Sequence, residues 1–162
     1  MLQRLQSVYL LIAAVCLSLM ALSPLITFKA SEGEKAEQLV FTIYAIEYEQ
    51  TSPIIAKGGH DNKALAYLAY GLAVLLLISI FQFKNRPLQI RLARMGYLLS
   101  GALLLSIIVT SYRAAETLKL PNLDWTPGWT MFLPAIAMVC CVLAYFRIKA
   151  DEALVKSVDR IR

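Results

Sequence analysis

Four stretches of this chain run for about twenty residues without a single Asp, Glu, Lys, Arg or His: residues 8–28, 64–83, 95–112 and 129–146. An uncharged apolar run of roughly 17–25 residues is long enough to cross about 30 Å of hydrocarbon as a helix, and few soluble domains contain even one. The remainder of the 162 residues is too little to cover four such helices with polar surface, and 59% of the chain is hydrophobic. The sequence therefore predicts an all-α membrane protein, a bundle of four transmembrane helices forming a single domain over residues 1–162. The first run is too long for a signal-peptide core and lacks a small-x-small cleavage site, so it is expected to stay as a helix.

Charge sets the expected orientation. If both termini and the hinge at residues 84–94 face the cytoplasm, that side holds ten Lys and Arg and three acidic residues. The other side then holds six basic and eight acidic residues, spread over longer loops. Lys and Arg near span ends collect on the cytoplasmic face, which places both termini inside a cell inner membrane. Net charge of this origin gives no support to nucleic-acid binding. Membrane lipids are the expected partners, with another membrane protein or a second copy of the chain as the protein partner.

The outer loop, residues 29–63, begins with a polar stretch, Ala30 to Gln38, expected to be mobile. Leu39 to Glu49 alternates β-branched and aromatic residues and reads as a strand, so a small β element is expected there. The second outer loop carries Pro121 and the breakers Trp125 to Trp129. Pro24 and Pro134 are expected to kink the helices that contain them. The tail, residues 147–162, places Leu154, Val158 and Ile161 on one helical face and pairs Glu152 with Lys156. It reads as an amphipathic continuation of the fourth helix.

Within the spans, small residues at four-residue spacing mark candidate helix contacts. The third helix has the fullest set: Gly96, Ser100, Gly101, Ala102, Ser106 and Thr110. Leu103 is taken as a neighbour that faces lipid. Proton-coupled transport usually needs an ionisable group at membrane depth, and the spans have none. Cys16, Cys140 and Cys141 lie inside spans, away from any loop where a disulfide framework forms. His60 is the only histidine, and no phosphate-cradling, nucleophile-elbow or metalloprotease motif occurs, so no cofactor or metal is expected. Arg113, Glu116 and Asp124 form the one group an enzyme could use, and an exposed ion pair is their ordinary role. The chain reads as a non-enzymatic structural or accessory membrane protein. A small-molecule or lipid transporter, using a polar cleft of Ser79, Ser106, Thr110, Ser111 and Tyr112, is the alternative.

Three stretches together carry a family resemblance: the start "MLQRLQSVYLLIAA", the hinge "FKNRPLQIRLAR" and the end "KADEALVKSVDRIR". They resemble the uncharacterised four-helix membrane proteins of Bacteroidota grouped as the domain of unknown function 4293 family. Gln3, Arg4 and Gln6 match the start of that family, and Leu2 and Leu5 depart from it mildly. Lys84, Asn85, Arg86, Gln89, Arg91 and Leu92 match its hinge. Asp151, Glu152, Leu154, Val155, Ser157, Asp159, Arg160 and Arg162 match its end. The resemblance implies an inner-membrane protein of this architecture and supplies no activity or catalytic residue. All three stretches fall on the expected cytoplasmic side. Arg4, Lys84, Arg86, Arg91 and Arg94 could thus meet Asp151, Glu152, Asp159 and Arg160 in one ion-pair layer.

A reporter active only in the cytoplasm should work when fused after Arg162 and fail when inserted at Gly58. Activity at Gly58 would overturn the orientation.

Overall fold

The computed structural model describes residues 3–32, 35–50, 59–61, 63–83, 85–118 and 123–159. It contains four helices, α1 (Gln3–Leu19), α2 (Lys63–Phe81), α3 (Arg86–Leu118) and α4 (Leu133–Asp159), and five strands, β1 (Ile26–Glu32), β2 (Lys35–Phe41), β3 (Ala45–Gln50), β4 (Gly59–Asp61) and β5 (Leu123–Pro127). Helix α2, the 28 residues Arg86–Arg113 and the 27 residues Trp129–Val155 are each long and apolar enough to cross a membrane, as suits a membrane protein. Helix α1 is apolar from Leu5 to Leu19 but shorter.

The boundaries differ from the sequence reading in four places, each for a local reason. The first helix does not extend to residue 28. The chain turns after Leu19, with the Leu22 amide donating to the Leu19 carbonyl at 3.1 Å. A residue preceding proline avoids the helical region, so Ser23-Pro24 ends the helix and does not kink it. Ile26, Thr27 and Phe28, β-branched or aromatic, then enter β1. Pro134 is likewise no kink: it is the second residue of α4, where an amide hydrogen would have no partner in any case. The hinge is largely helical. Only a short turn, where the Asn85 amide donates to the Gln82 carbonyl at 3.0 Å, separates α2 from α3. Finally, α4 continues without a break through the tail as far as Asp159.

The predicted strand over residues 39–49 is the middle of a hairpin. Thr42 makes the turn: its amide donates to the Ala45 carbonyl at 2.9 Å, and its hydroxyl accepts from the Ala45 amide at 3.1 Å. The sheet is antiparallel throughout, in the order β4-β3-β2-β1-β5. Much of the polar stretch after residue 29 is ordered in β1 and β2, and part of the second outer loop is strand β5, paired with β1. Pro127 is tolerated because β5 is an edge strand.

Two compact units share these elements. The first takes residues 1–18, 69–102 and 134–162 and is helical. Each helix buries one stripe there: Leu10, Ala13, Ala14 and Leu17 on α1; Ala69, Leu72, Ala73 and Leu76 on α2; Ala93, Gly96 and Ser100 on α3; Ala137, Cys141, Ala144 and Ile148 on α4. Steps of three and four residues keep one helical face inward. Alanine, glycine, serine and cysteine supply most of it, as expected where helices meet through van der Waals fit.

The second unit takes residues 19–68 and 103–133 and carries the sheet. Its interior holds Met20, Leu25, Ile26, Phe28, Phe41, Ile43, Leu103 and Ile107. A polar knot ties β1 to the chain after β5: the Gly128 amide donates to the Leu25 carbonyl at 2.8 Å, and the buried Thr130 hydroxyl donates to the Pro24 carbonyl at 2.8 Å.

Glycine substitutions probe both units. A Cβ at Gly128 would lie 2.2 Å from the Pro24 carbonyl oxygen, part of the backbone, whereas one at Gly96 would meet Leu76 Cδ2 at 2.8 Å and Cys141 Sγ at 3.2 Å. Gly71 has open space. Thermal unfolding in detergent should rank Gly128→Ala as most damaging, Gly96→Ala intermediate at about 1–3 kcal/mol, and Gly71→Ala neutral or stabilising. Equal stability of the three would contradict the packing described.

Candidate functional site

The buried stripes of α1, α3 and α4 do not end in apolar residues. Four residues before Leu10 stands Gln6, four before Ala93 stands Gln89, and three after Ile148 stands Asp151. All three positions continue the helical period. Gln6 and Gln89 are 5% and 3% exposed, so their amides are carried into the interior of the first unit by the same geometry that buries the leucines. The polar ends of the three stripes converge. The Gln6 side-chain amide donates to the Asp151 carboxylate through Oδ2. Arg86 donates from its guanidinium to the Asp151 main-chain carbonyl at 3.1 Å.

Around this clasp lies a small open cleft lined by Gln6, Ser7, Phe83, Arg86, Gln89, Ile148 and Asp151. Its enclosed space is about 10 Å3, room for roughly one water molecule and far below the roughly 300–1,000 Å3 of ordinary small-molecule sites. Among the described residues, no group of three His, Cys, Asp or Glu side chains could hold a metal ion.

The clasp joins the three stretches on which the resemblance rests: Gln6 from the start, Arg86 and Gln89 from the hinge, Asp151 from the end. The profile of a family described as Domain of unknown function (DUF4293) matches residues 2–161. The chain belongs to that family. No curated protein matches it.

In this DUF4293 member the residues of the expected ion-pair layer go to different places. Arg86 and Asp151 meet, but through the main-chain carbonyl, while the carboxylate takes a neutral amide. Arg94 lies over the ring of Tyr145, 5.7 Å from its centroid, which suits a cation–π contact. Tyr145 also packs edge-on against Tyr97 and Phe146, at 6.0 and 5.5 Å. Arg91 is exposed and Glu152 half-buried. The side chains of Arg4, Lys84, Asp159 and Arg160 lie outside the described residues. So do those of Val158 and Ile161, whereas Leu154 is 61% exposed and Ile148 is the buried apolar anchor near the tail.

The small-residue set of α3 also divides. Gly96 and Ser100 are on the buried stripe, with the Ser100 hydroxyl bonded to the Gly96 carbonyl at 2.8 Å. Gly101 has room for a methyl, its nearest neighbour being Met138 Sδ at 3.5 Å from an added Cβ. Ser106 and Thr110 are half-buried, and Ala102 is exposed. Leu103, expected to face lipid, is fully buried in the second unit. The hydroxyls considered for a transport path largely serve their own helix. Thr110 donates to the Ser106 carbonyl at 2.7 Å and Ser111 to the Ile108 carbonyl at 2.8 Å, while Tyr112 is exposed. Ser79 belongs to the first unit, where its buried hydroxyl has no partner among the described residues. Arg113, Glu116 and Asp124 are all exposed, and Asp124 stands opposite Lys29 in the sheet.

Gln6 and Gln89 are the residues that charge-based reading overlooks. Extending each apolar stripe by one more turn would have found them.

Replacing Gln6 by Leu removes a hydrogen bond to a charged group and should cost about 1.5–3 kcal/mol. Arg91→Gln, at an exposed position, should stay within roughly 0.5 kcal/mol. Reversible unfolding in mixed micelles compares them, and equal losses would show that the clasp contributes nothing special.

Proposed function

We propose that this protein is a non-enzymatic structural or accessory subunit of the cell inner membrane, spanning it four times with both termini in the cytoplasm. The single observation that carries this reading is the composition of the buried stripes. They contain Leu, Ile, Ala, Gly and Cys along most of their length, with the small hydroxyls of Ser79 and Ser100 among them, and turn to amide and carboxylate side chains at Gln6, Gln89 and Asp151. Such helices are suited to holding a fixed arrangement, not to passing a polar solute. The apolar residues left outside, among them Leu11, Val74, Leu98, Leu105 and Val139, suit contact with lipid or with a neighbouring membrane protein.

Helix α1 serves as the fourth span. At 17 residues it measures about 26 Å, a few ångströms under the hydrocarbon thickness, a mismatch that a bilayer absorbs by local thinning. The lysine and arginine excess of the hinge and tail supports the cytoplasmic placement of both termini.

Crosslinking in the native membrane, followed by mild solubilisation and mass spectrometry, tests the role. The expected result is a reproducible adduct with another membrane protein or with a second copy of the chain. A monomer without adducts under every crosslinker length would overturn it.

A further inference from the structure

Tyr145 holds two cations. The Arg94 guanidinium reaches it from α3 and lies 5.7 Å from the centre of its ring, and the Lys149 ammonium reaches it from the next turn of α4 and lies 6.0 Å away. Each cation is attracted to the ring, but two positive charges gathered on one ring also repel each other. Both side chains are exposed, and neither makes an ion pair with a carboxylate among the described residues. An anion between them would relieve the repulsion, and two long side chains at the surface can close on one.

Position narrows the class of anion. Arg94 immediately precedes the uncharged run 95–112, and Lys149 stands three residues beyond the uncharged run 129–146. Once these helices cross a bilayer, both charges stand at the level of the lipid phosphates.

The residues that follow toward the apolar side point the same way. Tyr97, one turn on from Arg94, packs edge-on against Tyr145 at 6.0 Å, and both rings are half-buried. Tyrosine suits the boundary between headgroup and hydrocarbon, with an apolar ring and a hydroxyl that bonds. Leu98, four residues after Arg94 on the same face of α3, is 58% exposed, and Val142, three residues before Tyr145 on α4, is half-buried. Cations, then tyrosines, then aliphatic side chains follow the order of phosphate, glycerol ester and acyl chain in a phospholipid. A free anion would use only the first of the three.

We propose that this seam of α3 and α4 binds an anionic phospholipid, of the phosphatidylglycerol type, with its phosphate between Arg94 and Lys149. The guanidinium offers a fork of donors to the phosphate and the ammonium a compact charge. A zwitterionic headgroup would bring a third cation to a place that already holds two. The assignment rests on the membrane reading above.

The test uses the full chain in detergent, supplied with equal amounts of phosphatidylglycerol, phosphatidylethanolamine and phosphatidylcholine of identical acyl chains. Native mass spectrometry then counts the lipid retained. Phosphatidylglycerol should be held over each of the other two by roughly fivefold or more, the value of one basic side chain at an anionic surface. Arg94→Gln combined with Lys149→Gln should bring that preference near unity, while Arg94→Lys should keep most of it. Arg147→Gln removes the same charge as Lys149→Gln from an exposed position two residues away, on a different face of α4, and should leave the preference intact. All these positions are exposed, and the melting temperature of each variant separates lost binding from lost folding. Inorganic phosphate at the lipid's concentration should not displace the lipid. Equal retention of the three lipids, a preference that survives the double substitution, an equal loss in Arg147→Gln and Lys149→Gln, or displacement by inorganic phosphate would each overturn the proposal. Any of these results in a protein that passes the reporter test of orientation would leave the membrane reading standing.

Discussion

Helices that meet in apolar surroundings gain little from hydrophobicity, because a leucine that leaves lipid enters an interior of similar polarity. What remains is van der Waals fit, which falls off within a fraction of an ångström. The first unit depends on this. Ala13, Ala14, Ala69, Ala73, Ala93, Gly96, Ser100, Ala137, Cys141 and Ala144 keep the buried faces thin, and at Gly96 even a methyl group would press on Leu76 and Cys141. The large aliphatic side chains are distributed on both faces, inside at Leu10, Leu72 and Leu76 and outside at Leu11, Val74 and Leu77. Hydrophobicity alone would not have told the two faces apart. Size does.

Once small residues set the distance between helices, polar groups at one end can set their register. An amide is well suited to this. Gln6 can be almost fully buried at the cost of one or two hydrogen bonds, whereas a buried guanidinium or ammonium demands far more. Asp151 keeps its charge at the margin and receives the amide there. The arginines of the hinge remain nearer the surface, where Arg86 reaches a carbonyl and Arg94 an aromatic face. The same division of labour leaves Arg86, Gln89 and Asp151 along one cleft.

In the second unit the constraint is main-chain pairing between segments far apart in the chain. Strand β1 lies between β2, its near neighbour in sequence, and β5, about a hundred residues away. A pairing across that distance carries a loop-closure cost that local hairpins escape. The knot at Pro24, Leu25, Gly128 and Thr130 reinforces it at the point where β5 gives way to the turn before α4. Gly128 is needed there for its lack of a side chain. Its backbone is ordinary, with φ at −74°.

By itself the sequence determined the helical class, the number of apolar runs, the helical tail and the family, because length without charge and short polar motifs are local properties. Strand character at residues 39–49 was legible for the same reason, in the alternation of Thr42, Tyr44, Ile46 and Tyr48. The tertiary structure alone decided what depends on a partner across space. That includes the end of α1 at Leu19, where Ile26 and Phe28 could be apolar for a helix or for a strand until Phe41 and Leu39 stood opposite them. It includes strand β5, whose Trp125 and Pro127 read as loop until β1 paired with it. It also includes the burial of Leu103 and the choice of Gln6 over an arginine as the partner of Asp151. Periodicity states which residues of one helix share a face. Only the neighbouring helix determines which face is turned inward, and so which polar groups must find each other.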